Sequence, residues 1–135
     1  MSKKTIIGLI GDKEGRDIIA DILSTNGFYR VSIEDNVRAI SKLLNIENDL
    51  SSIRERGYKV SRLYWINLVL SLIPDDKGLV VIDDARLEDI VEKVIKAYYI
   101  GEKDHEMPKY VEKIEKDSDI DVFRELVNKK FNLRK

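Results

Sequence analysis

Residues 5–23 read TIIGLIGDKEGRDIIADIL, and this stretch decides the fold. Thr5 to Ile10 is an apolar, β-branched run without polar alternation, the pattern of a strand covered on both faces in a parallel sheet. From Arg16 to Leu23 the apolar residues Ile18, Ile19, Ile22 and Leu23 recur at helical spacing. The period changes across GDKEG, residues 11–15, so the opening unit is strand, glycine loop, helix.

Working outward, Asn26-Gly27 supplies a helix stop, Phe28 to Ile33 reads as a second strand, and Asn36 to Leu44 as a second helix. Asn45 to Gly57 is polar and shows no assignable period. Ser61 is placed to cap a helix running through Ile73 and ended by Pro74. Leu63, Ile66, Leu70 and Ile73 form its stripe, and Trp65, Val69 and Leu72 broaden it. Leu79 to Ile82 is a further uninterrupted strand. LEDIVEKVI, residues 87–95, has its apolar residues at helical spacing and predicts a helix. Ala97 to Ile100 and Tyr110 to Ile114 read as short strands, and Ile120 to Phe131 as a closing helix. This alternation predicts a single α/β domain over residues 1–135. Its expected form is a three-layer, doubly wound, mostly parallel sheet of about five strands with helices on both faces.

The chain of 135 residues is long enough to bury a core without metal or disulfide staples. Its charged residues make up 36% and nearly cancel, leaving a formal net charge of −1, which argues against general nucleic-acid binding. Lys3, Lys4, Lys129, Lys130, Arg134 and Lys135 put positive charge near both ends, where solvated termini account for it. With no cysteine, thiolate zinc sites and cysteine nucleophiles are excluded. The one histidine, His105, stands in the polar stretch GEKDHEMPK, where a surface loop explains it better than a general base. The apolar run from Ile6 to Ile10 is too short for a signal-peptide core or a membrane span, so the expected location is the cytoplasm and no membrane partner is expected.

In a doubly wound sheet the first loop into a helix is a natural phosphate site. GDKEGRD occupies it, making Gly11, Asp12, Lys13, Gly15, Arg16 and Asp17 the candidate phosphate-binding residues. A full Walker A loop carries four residues between its first glycine and its Gly-Lys pair, whereas only three separate Gly11 from Gly15. Arg16 stands where the lysine would be, and Asp17 then Ile18 where a Ser or Thr hydroxyl would hold Mg²⁺. Asp12 and Glu14 place negative charge in a loop meant for phosphate. GDKEG reads equally well as a tight strand-to-helix turn.

Four segments in order, and a fifth at the end of the chain, resemble the phage-type deoxynucleoside monophosphate kinases, a branch of the P-loop kinases. Residues 6–23, IIGLIGDKEGRDIIADIL, are similar to the family's opening unit, with Gly15, Asp17, Ala20 and Asp21 matching and Arg16 and Ile18 departing. Residues 31–44, VSIEDNVRAISKLL, resemble its second strand and helix, where Asp35, Asn36 and Arg38 match the monophosphate side and the usual proline is missing. Residues 62–74, RLYWINLVLSLIP, are similar to its aromatic-Trp-Val-Asn helix, with Tyr64, Trp65 and Asn67 at the matching positions. Residues 79–94, LVVIDDARLEDIVEKV, are similar to its strand ending Ser-Asp-Val-Arg-Phe, which puts Asp84 and Arg86 at its acidic and basic positions. Residues 111–127 resemble its terminal strand, acidic turn and last helix.

For an active member the resemblance implies transfer of the γ-phosphoryl group of ATP, with Mg²⁺, to a deoxynucleoside monophosphate. Arg16, Asp84 and Arg86 would be catalytic, with Arg16 at the β/γ-phosphates. Asp17 and Asp84 would hold the metal, and Arg38, Arg62 and Trp65 the acceptor. It also implies a homodimer. Against activity stand the shortened loop, the missing Lys and Thr, and a lid segment too short to identify, for which Lys103, His105 and Lys109 are poor substitutes. The reading favoured by these losses is a degenerate, weak or inactive homologue that binds nucleotide or acts as an interaction module. Tyr58, Tyr64 and Trp65 would then serve a partner surface, or simply line the core. The competing reading of Asp84 and Arg86 is a helix cap and an ion pair with a neighbouring carboxylate. Asp83-Asp84 after a strand also suggests a receiver-like acidic pocket, but the rest of that set, an acidic pair after the first strand and a late lysine, cannot be placed.

Overall fold

The structure is a computed structural model that describes residues 4–45, 49–102 and 105–133. Lys3, Lys103, Arg134 and Lys135, named above, lie outside these residues. Five strands form one sheet in the order β2-β3-β1-β4-β5, and every pairing is parallel. They are β1 (Thr5–Gly11), β2 (Tyr29–Val31), β3 (Leu79–Ile82), β4 (Ile95–Gly101) and β5 (Val111–Glu115). The helices are α1 (Lys13–Thr25), α2 (Ile33–Leu43), α3 (Leu50–Val60), α4 (Tyr64–Leu72) and α5 (Ile120–Lys130). The expected three-layer α/β architecture is the one observed, consistent with a P-loop-like fold.

Alternation along β1 assigns the layers. Ile6 and Ile10 face a core shared with Ile33 and Val37 of α2, Ile53 of α3 and Trp65, Ile66 and Val69 of α4. Ile7 and Leu9 face the opposite core, built from Ile18, Ile19, Ile22 and Leu23 of α1 and Phe123 and Val127 of α5. A strand lying between two such layers has no polar face to show, which is why it reads as a continuous apolar run. The helix stop at Asn26-Gly27 is real: the Asn26 N–H donates to the Leu23 carbonyl, and Gly27 adopts φ +92°.

Three element expectations are corrected. LEDIVEKVI forms no α-helix; Leu87–Asp89 makes a single 3₁₀ turn and β4 begins at Ile95. Residues 83–94 must return from the carboxyl end of β3 to the amino end of β4, where Ile95 is in register with Ile6. Asp89 is fully buried against Arg54, Tyr58 and the Arg86 N–H while Ile90 packs on the core, so the segment follows these distant contacts and not its apolar period. The polar stretch after Asn45 holds α3, started by Asp49, whose carboxylate accepts the Ser52 N–H at 2.9 Å. Ser61 consequently ends α3 rather than capping α4, which starts at Tyr64 with no side-chain cap.

Candidate functional site

β1 passes to α1 through one residue, Asp12. Its carboxylate accepts the Gly15 N–H at 2.8 Å and its carbonyl accepts the Arg16 N–H at 2.9 Å, so Asp12 is the N-cap of α1. Lys116, just beyond β5, places Nζ 3.1 Å from Asp12 Oδ2 and 2.5 Å from Glu14 Oε1. The Gly15 amide, then the Lys116 ammonium, hold the Asp12 carboxyl below its ordinary value of 3.8. Both glycines of the loop are explained by β4. Gly11 has φ +108°, and a Cβ there would lie 2.3 Å from the Ile100 carbonyl oxygen. A Cβ on Gly15 would lie 2.5 Å from Ile100 Cγ2, so α1 can start this close to the sheet only without one.

Arg16 bends back over the sheet's carboxyl edge. Its Nε donates to the Gly11 carbonyl at 2.8 Å and its Nη1 to the Asp83 carbonyl at 2.6 Å, tying the ends of β1 and β3. The loop from Gly11 to Gly15 and the Asp84–Arg86 segment therefore share one edge of the sheet. Asp17 pairs with Lys13 and with Arg30. Arg30, from β2, gathers Asp17, Asp21 and Asp83. Burial alone would lower the Arg30 pKa, but hydrogen bonds and charge from Asp83 and Asp21 raise it. Burial raises the pKa of Asp83 despite Arg30.

Asp84 turns to α2. Its carboxylate accepts the Ile33 N–H at 2.7 Å, the Glu34 N–H at 2.8 Å and the Ser32 hydroxyl at 2.9 Å, so it caps a helix that lies far from it in sequence. Arg54 of α3 reaches the Asp84 carbonyl at 2.7 Å and Asp89 at 3.0 Å. The Tyr58 hydroxyl lies 2.8 Å from Asp89 Oδ1 and 3.0 Å from Arg54 Nε. Asp89 is fully buried and also accepts the Arg86 N–H at 2.8 Å. Burial raises the pKa of Asp89 and of Tyr58. Arg86 itself pairs with Glu55 at 3.1 Å.

The residues expected to hold an acceptor each have partners of their own. Arg38 pairs with Asp35 and Glu34 on its own helix. Arg62 donates to the carbonyls of Glu88 and Ile90. Trp65 is 1% exposed, packs against Gly57 and donates Nε1–H to the Arg54 carbonyl at 2.8 Å, which makes it a core residue and not an acceptor contact. His105 stacks on Tyr99 with ring centroids 4.5 Å apart. Sequence reasoning missed Arg30, Arg54, Asp89 and Lys116. None of them carried a local signal, since each meets partners that only the fold brings near. At the carboxyl edge Glu34, Leu50, Ser51, Arg54 and Arg86 line a cleft of about 80 Å³.

The carboxylates expected to hold Mg²⁺ serve different partners. Asp17 faces Lys13 and Arg30, while Asp84 faces the α2 N-terminus and Arg54. Among the described residues no group of three or more His, Cys, Asp or Glu side chains could hold a metal ion. Among them, too, no helix is long and apolar enough to cross a membrane. Neither a protein-family model nor a curated protein matches the chain.

Proposed function

We propose that this chain is a kinase-like α/β domain that has given up phosphoryl transfer and works as an interaction protein. One observation carries the reading: the Asp12 carboxylate occupies the α1 N-terminus, with Lys116 as its counter-ion. A helix N-terminus attracts an anion through its unpaired N–H groups and its dipole. Here the chain supplies that anion itself. A nucleotide phosphate would have to displace Asp12 and approach Glu14, in a loop with no length to wrap it.

The remaining groups support the same reading. Arg16 donates to main-chain carbonyls, and the two expected metal ligands are engaged with arginines and helix amides. Neither set fits an Mg²⁺–ATP complex. The cleft beside Arg54 and Arg86 is far below the roughly 300–1,000 Å³ of ordinary ligand pockets.

Calorimetric titration with Mg²⁺–ATP, followed by coupled ADP release with each of the four deoxynucleoside monophosphates, tests the proposal. The expected result is no binding at millimolar ATP and no acceptor-dependent ADP. Saturable binding with turnover that disappears in Arg16→Ala would overturn it and establish a working kinase.

A further inference from the structure

The helices over the two faces of the sheet are clad differently. α1 shows solvent the charged residues Lys13, Glu14 and Asp21. Residues 63–73, LYWINLVLSLI, which include α4, carry no charge at all. Trp65, Ile66 and Val69 face the core. Tyr64, Leu68 and Leu72, spaced one turn apart, form a second apolar stripe along the flank of the helix, and Leu72 is 62% exposed. A helix apolar round most of its circumference is ordinarily covered on each such side.

The stripe begins at a groove. Tyr64 and Trp65 meet Ile40 and Leu44 at the end of α2 and Gly57 and Val60 of α3 around an open space of about 140 Å³. Trp65, 1% exposed, closes its bottom, and it can lie this close to α3 because Gly57 has no Cβ; one there would come 2.2 Å from Trp65 Nε1. Val60 and Leu44 stand 75% and 60% exposed at the rim. The charge around them is of one sign. Residues 56–74 hold Arg56, Lys59 and Arg62 and no acid. Arg56 lines the groove, and Lys59 lies one turn further along α3 with no ion pair among the described residues. Arg62 donates to the neutral carbonyls of Glu88 and Ile90, which leave its charge uncancelled.

We propose that this surface binds an acidic amphipathic helix of another protein, which seats one large apolar side chain over Trp65 and turns carboxylates toward Lys59 and its basic neighbours. The groove is too small for a cofactor but has room for a single side chain. From Tyr64 to Leu72 the stripe runs about 12 Å at about 1.5 Å per residue, so a partner helix of two to three turns covers it. A flat lipid surface would leave the groove unfilled. This inference gives the interaction reading its partner and rests on it, yet nucleotide titration and helix binding are separate measurements, and either can fail alone.

Selection of a displayed library of random peptides of about 16 residues against the full chain tests the inference. Enriched peptides should place Leu, Ile or Phe at helical spacing with Asp and Glu between them, and should bind less tightly as salt rises. Trp65 is the one tryptophan of the chain, so its emission should change on titration with a selected peptide that lacks Trp. Val60→Glu should weaken that peptide by at least about tenfold and Lys59→Glu by roughly threefold. Both side chains are exposed, so the urea midpoints of the two variants should match wild type and separate lost binding from lost folding. No enrichment, enriched peptides without acids, an unchanged Trp65 emission, or binding indifferent to Val60→Glu would each overturn the inference. So would tighter binding to phosphatidylserine vesicles than to any peptide, which would assign the surface to lipid. Self-association of the wild type that Val60→Glu abolishes would overturn it too, by assigning the surface to a second copy.

Discussion

Two arginines of this chain each gather carboxylates at the same edge of the sheet, and they do so under different conditions. Arg54 is 6% exposed and holds Asp89, which is 0% exposed, together with Tyr58 and Asp84. Arg30 is 30% exposed and holds Asp83, Asp17 and Asp21, of which Asp21 is 64% exposed. The drawing of charges is similar, but the solvent differs. Around Arg54 every polar atom must find its partner within the protein, because water cannot replace a lost one. Around Arg30 water and salt replace much of what any single contact supplies. The comparison separates a cluster that fixes how α3 sits on the sheet from one that decorates the edge.

The largest effect should come from breaking the buried cluster. Asp89→Ala leaves Arg54 charged and buried without its closest acid, and removes the acceptor for the Arg86 N–H. Urea denaturation should show a loss of about 3–5 kcal/mol. A loss below about 1 kcal/mol would mean that the two clusters are alike after all. Asp12→Ala lies in between, because it removes a helix cap that is partly open to solvent. The expected loss is about 1 kcal/mol at neutral pH. The Asp12 pKa is lowered in the folded chain, so its contribution is present above 3.8 and vanishes as pH falls through the lower native value. Wild type and Asp12→Ala should therefore converge in acid, and a gap that persists there would assign the effect to something other than the carboxylate. The smallest effect belongs to Asp21→Ala, which removes the most exposed partner of Arg30. It should cost less than about 0.5 kcal/mol and less still in high salt.

Much of the layer architecture could be read from the chain, because a strand between two helical layers must be apolar throughout and β1 and β3 are. The helices of the opening and closing units followed from apolar residues at a period near 3.6. The reading failed where a side chain's partner lies far away in sequence. LEDIVEKVI has helical spacing, yet Ile90 packs against the core facing α2 to α4 while Asp89 turns in to meet Arg54 and Tyr58. No local pattern announces that Arg54, thirty-five residues earlier, waits for it. α3 was missed for a related reason: its polar face includes an arginine that is buried.

The site was legible in part. Gly11 and Gly15 were marked as phosphate-loop candidates or as part of a tight strand-to-helix turn, and what comes close to them in the fold is Ile100 of β4. A glycine records a close approach without recording what approaches. Of the two readings of Asp84 and Arg86, the observed contacts are a helix cap and an ion pair with Glu55, but the helix capped is α2 and not the one expected after β3, which does not form. Lys116 could not have been found from sequence, since it meets Asp12 only after β4 and β5 have been added beside β1.

The strand order also has a consequence for how the molecule is made. β1 precedes the other four strands in the chain, yet it lies at the centre of the sheet. Its neighbours are Val81 on one side and Lys96 on the other, both opposite Ile7. A nascent chain must therefore carry this apolar strand bare until β3 and β4 have been made, and must close long loops to cover its edges. Any fragment that stops before Leu79 leaves β1 with both edges bare, so the domain has no stable half. Its sheet forms late, from the middle outward, and the opening strand is the part most in need of protection until then.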